Sequence, residues 1–254
     1  MTKVIGTPDS FLVLNVFKDP DNVLAYLKTV LPPESSSNKQ KPDRVFFSDQ
    51  NTNNDSLSLA YLRCPSINDV LPFTPEIKEI VNTIDPNTNI VKILRYVDGK
   101  NSLKAHCDKT IDLDDIVPIY NVRLGSPRKF ILKHKVTGDE IATVIPHNAM
   151  FVLGLKTNSE YTHSIPEEDN ITSYTYSIIL RKSVTFKDVK TGLLWGTRTY
   201  FPTHSELVEY VEKNANTKEN TAENKNELIK LWGMENKHIV DHDHYNNYCS
   251  QSVE

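Results

Sequence analysis

Between residues 89 and 186 the chain breaks into short segments in which apolar and polar side chains alternate: 89–96, 102–108, 116–124, 129–135, 140–145, 149–153 and 173–186. A period of two is the strand repeat, because successive side chains leave opposite faces of an extended backbone. Turn signals punctuate the series. Asp98-Gly99 predicts a hairpin between the first two segments, and Thr137-Gly138-Asp139 turns another pair. Seven or eight antiparallel strands of this kind suit a double-stranded β-helix, or jelly roll, whose mouth can hold a metal between two sheets. The expected class is α+β, mainly β, with flanking helices and a helical C-terminal extension.

Four residues on this frame carry chemistry. His106 and Asp108 are spaced i, i+2, so a strand delivers both to one face and turns Cys107 to the other. A second histidine, His163, follows 55 residues after Asp108, and Arg181 comes 18 residues later. Two imidazoles and a carboxylate suit Fe(II), leaving three octahedral positions for a chelating cosubstrate and O2. The same set suits a catalytic zinc, but zinc hydrolysis gives no reason for the downstream arginine. Arg181, with the Ser183 hydroxyl two residues on, is shaped to grip a carboxylate end-on and suits a dicarboxylate cosubstrate. The pattern points to an oxidising enzyme.

The segments ILRYVDGKNSLKAHCD (93–108), VRLG (122–125), YTHSIP (161–166) and RKSVTFK (181–187) together resemble the AlkB-like Fe(II)/2-oxoglutarate dioxygenases in order and spacing. The likeness covers about 100 residues. It implies that His106, Asp108 and His163 bind iron, that Arg181 holds the distal carboxylate of 2-oxoglutarate and that Tyr96 hydrogen-bonds the cosubstrate. It implies O2 as the oxidant. Three positions depart from the family pattern: Leu94 stands where Asn is usual, Lys187 where a second Arg is common, and Thr110 where members acting on nucleobases often carry an acid. Lys187 keeps the charge but loses the guanidinium fork.

Three regions follow: residues 1–88, with helices and a substrate lid; the dioxygenase core, 89–190; and a partly helical extension, 191–254, with a disordered tail. Asp19-Pro20 starts a helix that Pro32-Pro33 stops. Thr74-Pro75 opens a second, whose Ile77, Ile80, Val81 and Ile84 form one apolar stripe. Strand-like 44–47 and 57–62 lie where the resemblance implies the lid, with Phe46, Phe47 or Tyr61 available to stack on a flat substrate, although plain strand packing is the commoner fate of such aromatics. Ser205 caps a helix running to residue 213. His238, Asp241, His242, Asp243 and His244 read as a solvated tail rather than a metal site.

Composition narrows the function. With 29 basic and 33 acidic residues among 254, the net charge is -4, so this is no polycation. A local basic cluster, Arg123, Arg128, Lys129, Lys133, His134 and Lys135, reads as a solvated hairpin, the alternative being a nucleic-acid patch. Cys64, Cys107 and Cys249 form neither a disulfide framework nor a metal motif, and Cys107 reads as a small core residue. No apolar run reaches membrane-spanning length and the first residues lack a signal organisation, so the expectation is a monomeric protein of the cytoplasm or nucleus. The leading function is oxidative demethylation of an N-alkylated nucleobase in DNA or RNA. The alternatives are hydroxylation of a small molecule or protein side chain by the same centre, and a binding module with a relict iron site.

Overall fold

The computed structural model describes residues 3–31, 41–51, 56–58, 70–213 and 233–239. The first part runs β1 (Lys3–Val4), β2 (Phe11–Leu14), α1 (Pro20–Val30), β3 (Asp43–Ser48), β4 (Gln50–Asn51), β5 (Ser56–Ser58), β6 (Val70–Pro72) and α2 (Pro75–Ile84). The central part runs β7 (Ile90–Tyr96), β8 (Leu103–His106), β9 (Ile119–Gly125), β10 (Arg128–His134), β11 (Glu140–Ile145), β12 (Ala149–Leu153), α3 (Leu155–Glu160) and β13 (Tyr161–Ile165). The last part runs β14 (Thr175–Arg181), β15 (Thr185–Asp188), β16 (Leu194–Gly196) and α4 (His204–Lys213).

A large sheet takes the order β1-β2-β12-β9-β14-β7-β3-β6, and a four-stranded sheet, β11-β10-β13-β8, faces it. This is the expected jelly roll. Leu94, Ile119, Phe151 and Ile179 of the large sheet pack between the sheets against Phe130, Leu132 and Ile165 of the small one. The other face of the large sheet is covered by the helices: Leu27 of α1 and Ile77, Ile80 and Val81 of α2 pack with Val91, Ile93, Val122 and Ile178. Covered on both faces, β14 is buried at every position, which explains the unbroken Ile178-Ile179-Leu180 where alternation is lost.

Both helix starts are as expected. The Asp19 side chain accepts from the Asn22 N–H and the Thr74 hydroxyl from the Ile77 N–H, each with proline in the first turn. The cap of α4 is Thr203, not Ser205: its hydroxyl accepts from the Glu206 N–H while the Glu206 carboxylate accepts from the Thr203 N–H, a reciprocal capping box.

The structure corrects other expectations. Asp98-Gly99 does not make a hairpin, since β7 belongs to the large sheet and β8 to the small one. The turn is a corner between sheets, pinned where Gly99 N–H donates to the Ile171 carbonyl and the Glu168 N–H donates back to the Gly99 carbonyl. The long segment 173–186 is two strands in different sheets, β14 and β15. Segment 44–47 is part of β3, which pairs with β7 inside the large sheet. Phe47 is accordingly a buried core residue rather than a stacking surface. Arg123 and Arg128 are fully buried, so the basic cluster is not a solvated hairpin throughout. Tyr61, Cys64, Cys249 and the tail residues Asp241 to His244 lie outside the described residues. Among the described residues no helix is long and apolar enough to cross a membrane.

Candidate active site

The small sheet brings the two histidines together. His106 ends β8 and pairs across the ladder with His163 on β13, placing their rings 4.4 Å apart. Phe130 of β10 stacks on His163 at 5.5 Å and fixes the plane of that ring. Asp108 lies just beyond the end of β8, so strand alternation alone does not position it. Asn158 on α3 does: its side-chain oxygen accepts from Asp108 N–H at 2.8 Å and its amide donates to the Asp108 carbonyl at 2.8 Å. One ligand atom from each of His106, Asp108 and His163 lies within 4.8 Å of the others, a set that one small cation can bridge. No other such cluster occurs among the described residues.

Donor chemistry supports a metal here. The Nδ1 of His106 contacts the Lys104 carbonyl at 2.7 Å, which makes Nδ1–H the donor and leaves Nε2 free to ligate. Burial pushes the His163 imidazole down to about 3, and the neighbouring His106 adds to the effect. Burial also lowers His106. For Asp108, burial opposes ionisation, but Arg181 chiefly, with His163 and His106, outweighs it and holds the carboxyl well below the usual carboxylate range. Near neutral pH all three groups are already in their ligating protonation states.

A narrow cavity between the sheets runs back from this cluster. Lys92, Leu94 and Tyr96, alternate residues of β7, line one wall, and Ile179 and Arg181 of β14 another. Burial, reinforced by Arg181, pushes Lys92 down to about 8. Sequence reasoning missed both Lys92 and Asn158. The two-residue period of β7 carries a signal for Lys92, whereas nothing local marks Asn158.

The expected cosubstrate residues separate. Tyr96 lines the cavity. Arg181 stands beside the metal set, its Nη2 donating to Asp108 Oδ2 at 2.6 Å in a buried ion pair. The Ser183 hydroxyl is spent on the carbonyls of Asp112 and Thr185. Lys187 sits on β15, whose sheet is β16-β15-β5-β4, and does not line the cavity.

Comparison with known proteins finds relatives of one enzyme family. DNA oxidative demethylase ALKBH2 of Homo sapiens is 26% identical over 121 residues, 44% of this chain and 46% of the relative. The Mus musculus protein of the same name is 25% identical over 121 residues, 44% of this chain and 51% of the relative. The chain thus spans about half the length of the curated relatives it matches. Among solved structures, OsALKBH1 aligns at 13% identity over 72% of this chain and 100% of its own, with a TM-score of 0.49. A 2OG-Fe(II) oxygenase family oxidoreductase from Burkholderia pseudomallei aligns at 11% identity over 68% of this chain and 84% of its own, with a TM-score of 0.44. The sequence profile of the 2OG-Fe(II) oxygenase superfamily matches residues 37–187, more than half of the chain and a span that holds the whole His-Asp-His set. The chain belongs to that superfamily, the dioxygenases that use Fe(II), 2-oxoglutarate and O2.

Proposed function

We propose that this dioxygenase demethylates N-alkylated nucleobases in DNA or RNA. The observation that carries the reading is the pairing of a His106, Asp108 and His163 cluster at the mouth of a jelly roll with curated relatives named as DNA oxidative demethylases. When bound, iron and 2-oxoglutarate would let O2 act as the oxidant, one oxygen atom going into succinate as 2-oxoglutarate loses CO2 and the other into a substrate C–H bond, and a hydroxylated N-methyl group would then be shed as formaldehyde.

The chain's own residues supply placement. His106 is held in one tautomer by the Lys104 carbonyl, and Asp108 is held ionised by Arg181 and fixed in position by Asn158. Arg181 and Lys92 lend the cavity positive charge, which favours entry of a dianionic oxo acid. Leu94, Ile119, Phe151 and Leu153 line the rest and exclude water from the reacting centre. Beside the cavity, half-buried Phe46 has Lys92 Nζ 5.8 Å from its ring centroid and the Arg44 guanidinium carbon 5.9 Å from it. An aromatic face flanked by cations suits a base and its phosphate.

Hydroxylation of a small molecule or a protein side chain by the same centre is the second reading. The net charge of -4 and the apolar Leu94 in the cavity wall favour it. Formaldehyde and succinate should be measured with N-methylated single- and double-stranded oligonucleotides, unmethylated controls, and panels of metabolites and peptides. Formaldehyde that depends on the methylated base is the expected result. Succinate release indifferent to nucleic acid but stimulated by a metabolite or peptide would replace the first reading with the second.

A further inference from the structure

His106 is the last residue of β8, so the backbone that carries Asp108 continues past the end of the sheet. Backbone N–H groups there have lost their ladder partners, and a buried donor left unmet is costly. Side chains from two other segments take over. Asn158 of α3 meets the Asp108 N–H. The Cys107 N–H donates to the Asn236 side-chain oxygen at 3.1 Å, and the Thr110 N–H makes a longer contact, 3.5 Å, to the Glu235 carboxylate. Glu235 and Asn236 belong to a turn, residues 233–239, closed where the Lys237 and His238 N–H groups donate to the Met234 carbonyl.

The turn holds the same segment through side chains. The Lys109 ammonium donates to the Asn236 oxygen at 2.8 Å and pairs with Glu235 at 3.2 Å, both members of that pair being buried. The Cys107 thiol donates to the Glu235 carbonyl at 3.1 Å. Lys135 ties the two supports together, donating to the Ser159 carbonyl of α3 at 2.6 Å and to the His238 carbonyl at 3.2 Å. Glu235 is 4% exposed, while Met234, Lys237, His238 and Ile239 around it are exposed. No residue of the turn belongs to either apolar core. Its buried contacts are concentrated on the residues that flank Asp108.

We infer that Asn236 and Glu235 are positioning residues for the metal: their turn straps the back of residues 107–110 and, with Asn158, aims the Asp108 carboxylate at the two histidines. This rests on the reading of His106, Asp108 and His163 as metal ligands. It adds a part of the chain outside the span 37–187 that the superfamily profile matches. Coupling of this kind is reciprocal, so whatever affinity the strap adds for metal, bound metal returns as firmer docking of the strap.

The test is equilibrium Mn(II) binding to the full chain, with amide hydrogen exchange and melting temperature measured on the same preparations. Asn236→Ala removes the acceptor shared by the Cys107 N–H and Lys109 and should weaken Mn(II) binding by roughly 10-fold, the low end of what lost outer support does to a metal site. Lys237→Ala, on the exposed side of the same turn, should change it by less than about twofold. In the unaltered protein Mn(II) should slow exchange both at 107–110 and at 233–239, and in Asn236→Ala the slowing at 233–239 should disappear. A purely structural turn would lower the melting temperature of Asn236→Ala without moving Mn(II) affinity, and that result would overturn the assignment, as would equal losses in Asn236→Ala and Lys237→Ala. Should Asn236→Ala fail to fold, the exchange experiment on the unaltered protein decides, because Mn(II) binding that leaves 233–239 unprotected overturns the strap while the metal site stands. Failure of the unaltered protein to bind Mn(II) would overturn the metal reading and the strap with it.

Discussion

Replacing Asn158 by Ala is the sharpest probe of how the metal set is built, because it touches no proposed ligand atom. Its amide makes two hydrogen bonds of 2.8 Å, to the N–H and to the carbonyl of Asp108, across 50 residues of sequence. Alanine leaves both backbone groups orphaned, at about 1–3 kcal/mol each in a dry site. Asn158 also borders a surface cleft with Lys135 and Ser159, where water can replace part of the loss. The expected destabilisation is therefore about 2–4 kcal/mol rather than the full sum. Asp108 also loses the clamp that sets its direction, and weakened outer support of this kind lowers metal affinity by roughly 10–100-fold. Urea unfolding and Mn(II) titration of the same preparation measure both effects. Stability and metal affinity both unchanged in Asn158→Ala would refute the view that α3 positions Asp108.

Three more outcomes follow from the same structure. Asp108→Asn removes the charge on one side of the buried Asp108–Arg181 pair and should cost about 3–5 kcal/mol of metal-free stability by urea unfolding, beyond its loss of metal binding. Gly99→Ala would place a Cβ 1.8 Å from the Glu168 carbonyl oxygen, so the corner must shift, and a loss of at least about 1–3 kcal/mol is expected by thermal unfolding. Glu235, on the turn that docks behind Cys107, faces Lys109, Lys135 and the Thr110 N–H, and burial, opposed by Lys109, pushes it up to about 7. The folded state thus keeps a proton that the unfolded chain loses from pH 4.5 upward, so this group's contribution is fullest below that pH and declines as pH rises to about 7. At about 1.4 kcal/mol per pKa unit the decline reaches up to about 3 kcal/mol, and Glu235→Gln should flatten it in stability measured against pH, with parallel profiles refuting the assignment.

Local patterns carried much of this structure into the sequence. β11 and β12 have the bounds that alternation predicts, and the Asp19-Pro20 and Thr74-Pro75 starts are read from capping chemistry that acts within three residues. The His-x-Asp, His and Arg spacing selects four residues that do converge, because ligand identity and family order constrain them more strongly than any single strand does. What escaped is set by contacts distant in sequence. Whether β7 and β8 pair or part depends on Glu168 and Ile171 gripping Gly99, and Asp98-Gly99 carries no trace of that. β13 is too short and mixed to stand out, although it bears His163 and joins β10 to β8.

The arginines teach a similar lesson. Clustered basic residues ordinarily mark a solvated face, yet Arg123 sits on a strand whose Ile119 and Asn121 share its inward direction, and Arg128 finds its carbonyls and carboxylate in other segments. Arg181 was legible as a site residue from its place in the motif. Its pairing with Asp108, rather than reach across the cavity, depends on Asp108 lying past the end of β8, which only the fold reveals.

One ferrous ion held by His106, Asp108 and His163 would be visible in crystals grown anaerobically with Fe(II) and measured on both sides of the iron absorption edge. A single anomalous peak per chain is expected, within bonding distance of both imidazoles and the carboxylate, and absent from crystals of His163→Ala. A peak elsewhere, or iron bound equally well without His163, would rule this metal set out.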